Sequence, residues 1–143
     1  MIATVAVGTD GSETAGKAVA AAFDLAERYG ASLVILTAYT GQARGMPRLS
    51  GGAGSDSEWA SSDAEHAERI LAHAEESASE RGLECRTAMG EGDPGEVLVN
   101  LAETHGADVL VVGNKGMHRR VLASVPNTVT HKAPCSVFVV KTT

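Results

Sequence analysis

The sequence predicts an α/β fold, a single-domain doubly wound and mostly parallel sheet of five strands with helices on both faces. Five short runs of β-branched and apolar residues alternate along the chain with four segments that have helical spacing. Each strand is thus followed by a crossover helix, which is the pattern of a parallel sheet. Aromatic residues are only 3% of the chain, and the apolar residues are mostly Ala, Val and Leu. Small side chains of this kind suit helices packed closely on a sheet.

The predicted strands are short, and two of them are nearly continuous apolar runs, as expected of strands covered on both faces. The five strands are predicted at Ile2–Val7, Ser32–Thr37, Glu84–Met89, Val109–Val112 and Ser136–Lys141.

The predicted helices carry recognisable start and stop signals. The first begins after the N-cap Ser12 and ends at Gly30. The second runs from about Asp63 to Arg81, with Ser62 and Glu65 as a capping box. The third opens on Asp93-Pro94-Gly95-Glu96 and ends at Gly106, and the fourth covers Val125 to Lys132 before Pro134.

Composition and charge exclude several classes of protein. The 143 residues are those of one ordinary domain, spanning 1–143, and the net charge of −6 argues against nucleic acid or an anionic membrane as the partner. No apolar run reaches the ~20 residues that a membrane span needs, so we expect a cytoplasmic protein. The two cysteines, Cys85 and Cys135, form no metal or redox motif.

One segment departs from the alternation of strands and helices. Residues 41–61 are rich in Gly and Ser and contain the only tryptophan, Trp59. A connection of about twenty residues exceeds the usual loop length, so we interpret it as a flexible loop, either a lid or disordered chain.

A glycine-containing loop follows the fourth strand. Gly113 and Gly116 flank Asn114 and Lys115, and glycines at such a point let backbone amides approach a phosphate. Downstream, Ser124 and the start of the fourth helix add hydroxyl and amide donors. Spacing alone is equally compatible with two glycines that turn a tight corner.

A carboxylate follows the first strand. Asp10 lies at the end of Val5-Ala6-Val7-Gly8-Thr9, where it could accept hydrogen bonds from a ribose diol. The alternative is that Asp10 caps the first helix together with Ser12. Neither loop matches the dinucleotide-binding or P-loop fingerprints, which disfavours a dehydrogenase or a P-loop NTPase.

Taken together, these stretches resemble the universal stress protein family over essentially the whole chain. The resemblance rests on Val7 to Ser12, on Gly90 to Pro94, on Ala107 to Gly116, on Ala123 to Asn127 and on Ala133 to Val140. It implies the strand order 3-2-1-4-5, which would place Cys85 and Cys135 at opposite edges of the sheet, too far apart for a disulfide. It also implies a homodimer and an adenine-nucleotide site, for ATP with Mg²⁺ or for cyclic AMP, as in similar actinobacterial members. We expect the dimer to form through the edge strand Ser136–Lys141, which is otherwise an unprotected template.

The resemblance also assigns residues to the nucleotide site. Asp10, with Thr9 beside it, would hold the ribose, and Ala38 would meet the adenine. The residues expected around the phosphates are Gly113, Lys115, Gly116, Met117, Ala123, Ser124 and Val125.

The phosphate loop departs from the family motif. Only six residues separate Gly116 from Ala123, where the family has nine, and Ala123 replaces the third glycine. A shorter loop offers fewer amides, which would weaken phosphate binding or favour a ligand with fewer phosphates. The alternative is that three residues are missing from the sequence at this point.

Three functions fit this pattern. The first is a non-catalytic, nucleotide-responsive stress or regulatory protein, since no catalytic or metal-binding constellation stands out. The second is a nucleotide-free dimeric interaction module of the same fold with a degraded phosphate loop. The third, a slow ATPase, would need a base or metal ligand that only Asp10 or Asp93 could supply.

Overall fold

The computed structural model describes residues 1–40, 63–114 and 125–142, which form one open sheet with helices on both faces. The strands are β1 (Thr4–Gly8), β2 (Ser32–Tyr39), β3 (Cys85–Glu91), β4 (Val109–Gly113) and β5 (Ser136–Val140), and the helices are α1 (Glu13–Tyr29), α2 (Ala64–Glu80), α3 (Pro94–Thr104) and α4 (Val125–Lys132).

All four strand pairings are parallel, and the strand order is 3-2-1-4-5, which confirms the predicted fold class and topology. β1 lies in the middle, with β2 on one side and β4 on the other. The winding therefore reverses beside β1. In open parallel sheets, ligands bind at such a reversal, outside the carboxyl ends of the strands.

Alternate residues of the central strands face two separate cores. Val5, Ile35 and Val111 point to one face, where they pack with α1 and α2. Ala6, Leu36 and Leu110 point to the other and pack with α3 and α4. Because both faces are covered, these strands read as continuous apolar runs rather than as an alternating pattern.

Several element boundaries differ from those predicted. β2 and β3 extend two residues past their apolar runs, because Ala38 pairs with Gly90 and Tyr39 with Glu91. Backbone pairing sets these ends, and the side chains do not reveal it. The cap of α2 is Asp63 and not the predicted Ser62, since the Asp63 carboxylate accepts from the His66 amide at 3.0 Å.

Three predicted helix signals are confirmed. The Ser12 hydroxyl accepts from the Ala15 amide at the start of α1, and the Asp93 carboxylate accepts from Glu96 at the start of α3. Gly30 ends α1 in the left-handed conformation, at φ 62°.

The two cysteines are free thiols, Cys85 on the edge strand β3 and Cys135 next to the opposite edge strand. Partial burial raises the pKa of both thiols, so neither is poised as a thiolate at neutral pH. Over residues 1–40, 63–114 and 125–142, no helix has the length and hydropathy needed to cross a bilayer.

At the amino end of the sheet, Asp108 joins the start of the chain to β4. Its Oδ2 accepts from the backbone amides of Ala3, at 2.8 Å, and Thr4, at 2.9 Å. These two hydrogen bonds, the Ala3 bond first, hold the pKa of the Asp108 carboxyl below its usual value. A group with a depressed folded-state pKa stabilises the fold above its unfolded pKa of about 3.9, and that stabilisation is lost as the pH falls through the folded value.

We expect Asp108→Asn to lower the melting temperature by a few degrees at pH 7, because the charge that favours these hydrogen bonds is removed. The difference from the wild type should shrink below about pH 4, where the wild-type carboxyl itself becomes protonated. Melting curves followed by circular dichroism between pH 3 and 7 would measure it. Glu103→Gln, at an exposed position on α3, is the control, and a difference that stays constant down to the lowest pH would contradict the expectation.

Candidate functional site

The turn after β1 is a tightly bonded loop that leads directly into α1. Asp10 Oδ1 accepts from the Ser12 amide at 2.9 Å. Gly11 has a φ of +84°, a conformation that side chains disfavour, which explains the glycine. Asp10 therefore holds the turn that precedes α1, whose N-cap is Ser12, and this hydrogen bond uses one of the two carboxylate oxygens.

Thr9 supports this turn from below and is only 4% exposed. Its Oγ1 accepts from the Gly11 amide at 3.0 Å, and its carbonyl accepts from the hydroxyl of the fully buried Thr37 at 2.6 Å. The Thr9 amide also donates to Leu36, which continues the pairing of β1 with β2. Thr9 thus fixes the backbone next to Asp10, and its side chain is committed to that turn.

A second set of hydrogen bonds lies where β4 and β5 end. The Asn114 amide donates to the Val140 carbonyl at 2.9 Å. Asn114 Oδ1 accepts both from the Thr142 amide, at 2.8 Å, and from the Thr142 hydroxyl, at 3.0 Å. The Thr142 carbonyl in turn accepts from Lys17 Nζ at 3.3 Å. The segment after β5 is therefore fastened both to the end of β4 and to α1.

These two regions face each other across a cleft of about 370 Å³, a volume that includes space open to solvent. The cleft lies outside the carboxyl ends of β1 and β4, where the winding of the sheet reverses. Its lining is mainly apolar with a few polar groups, and consists of Gly8, Asp10, Ser12, Thr14, Ala15, Leu98, Val112, Gly113, Val125 and Thr142.

The structure brings three of the predicted site residues into this cleft, namely Asp10, Gly113 and Val125. Thr9 lies directly beneath the turn. Ala38 is one strand away on β2, 2% exposed and packed with Val97 of α3, and it is not among the lining residues. The predicted site residues Lys115, Gly116, Met117, Ala123 and Ser124 lie outside the described residues, as does the segment 41–61.

Sequence reasoning missed several lining residues. Leu98 belongs to α3, which is distant in sequence, and Thr142 follows β5 by two residues. Gly8 was recognised only as part of the turn, whereas a Cβ placed there would come within 2.6 Å of Leu98 Cδ1. Only the spatial order of the strands and helices shows that these positions converge.

Two charged groups lie in this region, Asp10 in the lining of the cleft and Lys17 on α1 outside that lining. Asp10 is the single carboxylate in the lining, and no further hydrogen bond to its Oδ2 exists within the described ranges. The Lys17 ammonium lies next to Thr142 and forms no ion pair with a described carboxylate. Carboxylate oxygen and ammonium hydrogens are the groups that bind a diol and a phosphate respectively.

The polar side chains that line the cleft are poorly suited to hold a metal ion on their own. Among the residues that the structure describes, no group of three or more His, Cys, Asp or Glu side chains could hold a metal ion. Mg²⁺ commonly binds through one or two carboxylates together with phosphate oxygens and water. Asp10 fits the role of a single such carboxylate, so a metal here would depend on the phosphates of a ligand.

A doubly wound parallel sheet with a cleft at its reversal point defines a class of small α/β ligand-binding domains. Within that class, the model of the universal stress protein family matches residues 1–141 of this chain. The chain belongs to the universal stress protein family.

Relatives cover nearly the entire chain. The universal stress protein Rv1636 of Mycobacterium tuberculosis is 38% identical over 98% of this chain and 97% of its own length. A solved universal stress protein in complex with cAMP is 33% identical, with a TM-score of 0.76 over 99% of this chain and 98% of that one. UspA of Lactobacillus plantarum, at 24% identity and a TM-score of 0.73 over 98% of both chains, shares the fold.

Proposed function

We propose that this protein binds an adenine nucleotide, ATP or cyclic AMP, in the cleft between β1 and β4, and that it acts without catalysis in a cytoplasmic stress response. The observation that carries the proposal is the convergence of Asp10 and Gly113 on one cleft at the reversal point of the sheet. The cAMP complex of a relative with 33% identity supports the same class of ligand.

Asp10 is the residue we assign to the ribose. One of its oxygens is held by the Ser12 amide, so the carboxylate is oriented before a ligand arrives. The other oxygen can then accept from a ribose hydroxyl. Val125, which the family resemblance assigns to the phosphates, lines the same cleft, and Mg²⁺ would enter only with the phosphates of ATP.

Isothermal titration with ATP, ADP, AMP and cyclic AMP tests the proposal directly. We expect a saturable signal with at least one of them at millimolar concentration or below. Absence of heat with all four would overturn the proposed function. Phosphate release from ATP should not exceed that of buffer, and release that disappears in Asp10→Ala would support the slow ATPase instead.

Asp10→Asn provides a sharper test of the ribose contact. Its Oδ1 can still accept from the Ser12 amide, so the turn is retained, but the group left for the ligand is then an amide NH₂, which cannot accept from a hydroxyl. We expect the Kd for ATP to rise about tenfold, as for the loss of a hydrogen bond to a charged group. With a 2′,3′-dideoxy analogue of ATP the same substitution should leave Kd nearly unchanged. Equal losses for both ligands would show that Asp10 does not contact the ribose.

The open edge of β5 supports a homodimer. Phe138 is 44% exposed and Val139 is 40% exposed, which is unusual for large apolar side chains on a sheet edge. Pairing with a second copy through residues 136–141 would cover them. We therefore include a homodimer in the proposal. Neither a nucleic acid nor an anionic membrane is a suitable partner for a chain of net charge −6.

A further inference from the structure

We propose that Asn114 is a positioning residue of the nucleotide site, and that it acts by clasping Thr142 and thereby fixing the wall of the cleft formed by Gly113. The inference rests on the proposed function, because the wall matters only if the cleft holds a nucleotide. We call the two hydrogen bonds from the Thr142 amide and hydroxyl to Asn114 Oδ1 the Asn114–Thr142 clasp.

The clasp uses the full hydrogen-bonding capacity of Asn114 Oδ1. A single amide oxygen accepts two hydrogen bonds, at 2.8 and 3.0 Å, so both of its lone pairs are used. Thr142 is only 3% exposed although it belongs to no strand or helix. A buried polar group that is satisfied by one partner depends on that partner, because its loss would leave two donors unpaired.

The position of Thr142 explains why the clasp affects the cleft. Thr142 lines the cleft itself, and its Cγ2 would lie 3.1 Å from a Cβ placed at Gly113. The Thr142 methyl group therefore packs over Gly113, and together they form one wall. The carbonyl of Thr142 is tied to Lys17 of α1, so the wall is fastened on both sides.

Gly113 is the last residue of β4 and lies in register with Val140 of β5, so the clasp extends the pairing of these two strands by one more pair of residues. The peptide that links Gly113 to Asn114 is fixed on one side by the Asn114 amide, which donates to Val140. The clasp in addition ties the side chain of Asn114 to Thr142, in the segment that follows β5. A preorganised wall loses less conformational freedom when a ligand binds, and this raises affinity.

The test measures the Kd of ATP and cyclic AMP for Asn114→Ala beside the wild type. We expect Kd to rise about tenfold, because a wall that is ordered in only about a tenth of the molecules lowers the apparent affinity by that factor. Asn100→Ala, which truncates an exposed asparagine of α3 away from the clasp, should leave Kd unchanged.

A matched pair at Thr142 covers the case in which Asn114→Ala fails to fold. Thr142→Val keeps the methyl group over Gly113 and loses only the hydroxyl hydrogen bond, and its Kd should rise about threefold. Thr142→Ser keeps both donors but loses that methyl group, so any rise in its Kd measures the packing contact and not the clasp. A valine variant that binds as tightly as the wild type would overturn the role of the hydroxyl in positioning.

Hydrogen exchange of the Thr142 amide separates positioning from mere stability. In the wild type this amide should exchange slowly, and more slowly still when nucleotide is added. In Asn114→Ala the same amide should exchange faster. If Asn114→Ala accelerates exchange but binds ATP and cyclic AMP as tightly as the wild type, the clasp exists without positioning the ligand and our inference is wrong, while the proposed function stands. If the wild type binds no nucleotide, the proposed function itself fails and the positioning role fails with it.

Discussion

Leu98→Ala should lower the free energy of unfolding by about 3 kcal/mol, within the range found for buried leucines. Leu98 is fully buried, lies in the core between the sheet and the helices α3 and α4, and also lines the cleft. Removing its two methyl groups and the carbon that bears them leaves a void directly below the turn after β1. Urea unfolding monitored by circular dichroism measures the change.

Gly8 makes this prediction specific to one contact. A Cβ at Gly8 would approach Leu98 Cδ1 to 2.6 Å and Cδ2 to 3.0 Å, distances at which something must move. Because Leu98 is fully buried, its side chain has little room to shift. Gly8→Ala alone should therefore destabilise the fold by about 1–2 kcal/mol through overpacking.

The effects of Leu98→Ala and Gly8→Ala on the free energy of unfolding should not be additive. With alanine at position 98, the added methyl group of Gly8→Ala enters the space vacated by Leu98. We expect the double variant to be more stable than additivity predicts by about 1 kcal/mol. Leu33→Ala, on the opposite face of the sheet, should combine additively with Gly8→Ala. Additivity in both pairs would show that Gly8 and Leu98 do not pack as described.

The contact between Gly8 and Leu98 illustrates what the sequence could and could not predict. The parallel sheet with both faces covered followed from the alternation of elements, because apolar runs and helical spacing are local patterns, whereas the strand order followed from the resemblance to the family. Gly8 could likewise be placed at the end of the first strand. Its close approach to α3 could not be predicted, since Leu98 looks like any other apolar residue of an amphipathic helix.

The candidate site shows the same division. Asp10 and Gly113 both follow predicted strands, and the carboxyl ends of parallel strands meet at one edge, so their convergence could be predicted. Thr142 has no distinguishing neighbours in the sequence. Its place in the cleft depends on β5 lying beside β4 and on a side chain of Asn114 that accepts two hydrogen bonds. Ala38 was assigned to the adenine by resemblance alone, and in the structure it packs with Val97.

We expect Val139→Pro to prevent the proposed association through β5 and to retain the fold of the single chain. The Val140 carbonyl accepts from Asn114, so the backbone groups of Val140 face β4. Successive residues of a strand direct their backbone groups to opposite sides, so the amide and carbonyl of Val139 point to the open edge. Proline at 139 removes the outward amide, which does not pair with β4 but would donate to the strand of a second chain.

Val140→Pro is the matched control, because it places the same residue one position further along the same strand. Its missing amide faces β4, so we expect it to destabilise the monomer, by about 3 kcal/mol if the cost resembles that of proline inside a regular element. Sedimentation equilibrium of the wild type should give the mass of two 14.7 kDa chains, and that of Val139→Pro should give one. A wild type that is monomeric at all concentrations, or a Val139→Pro variant that remains dimeric, would contradict association through β5. The two proline variants thus test which side of the same strand holds the second chain, since only the outward amide is available to it.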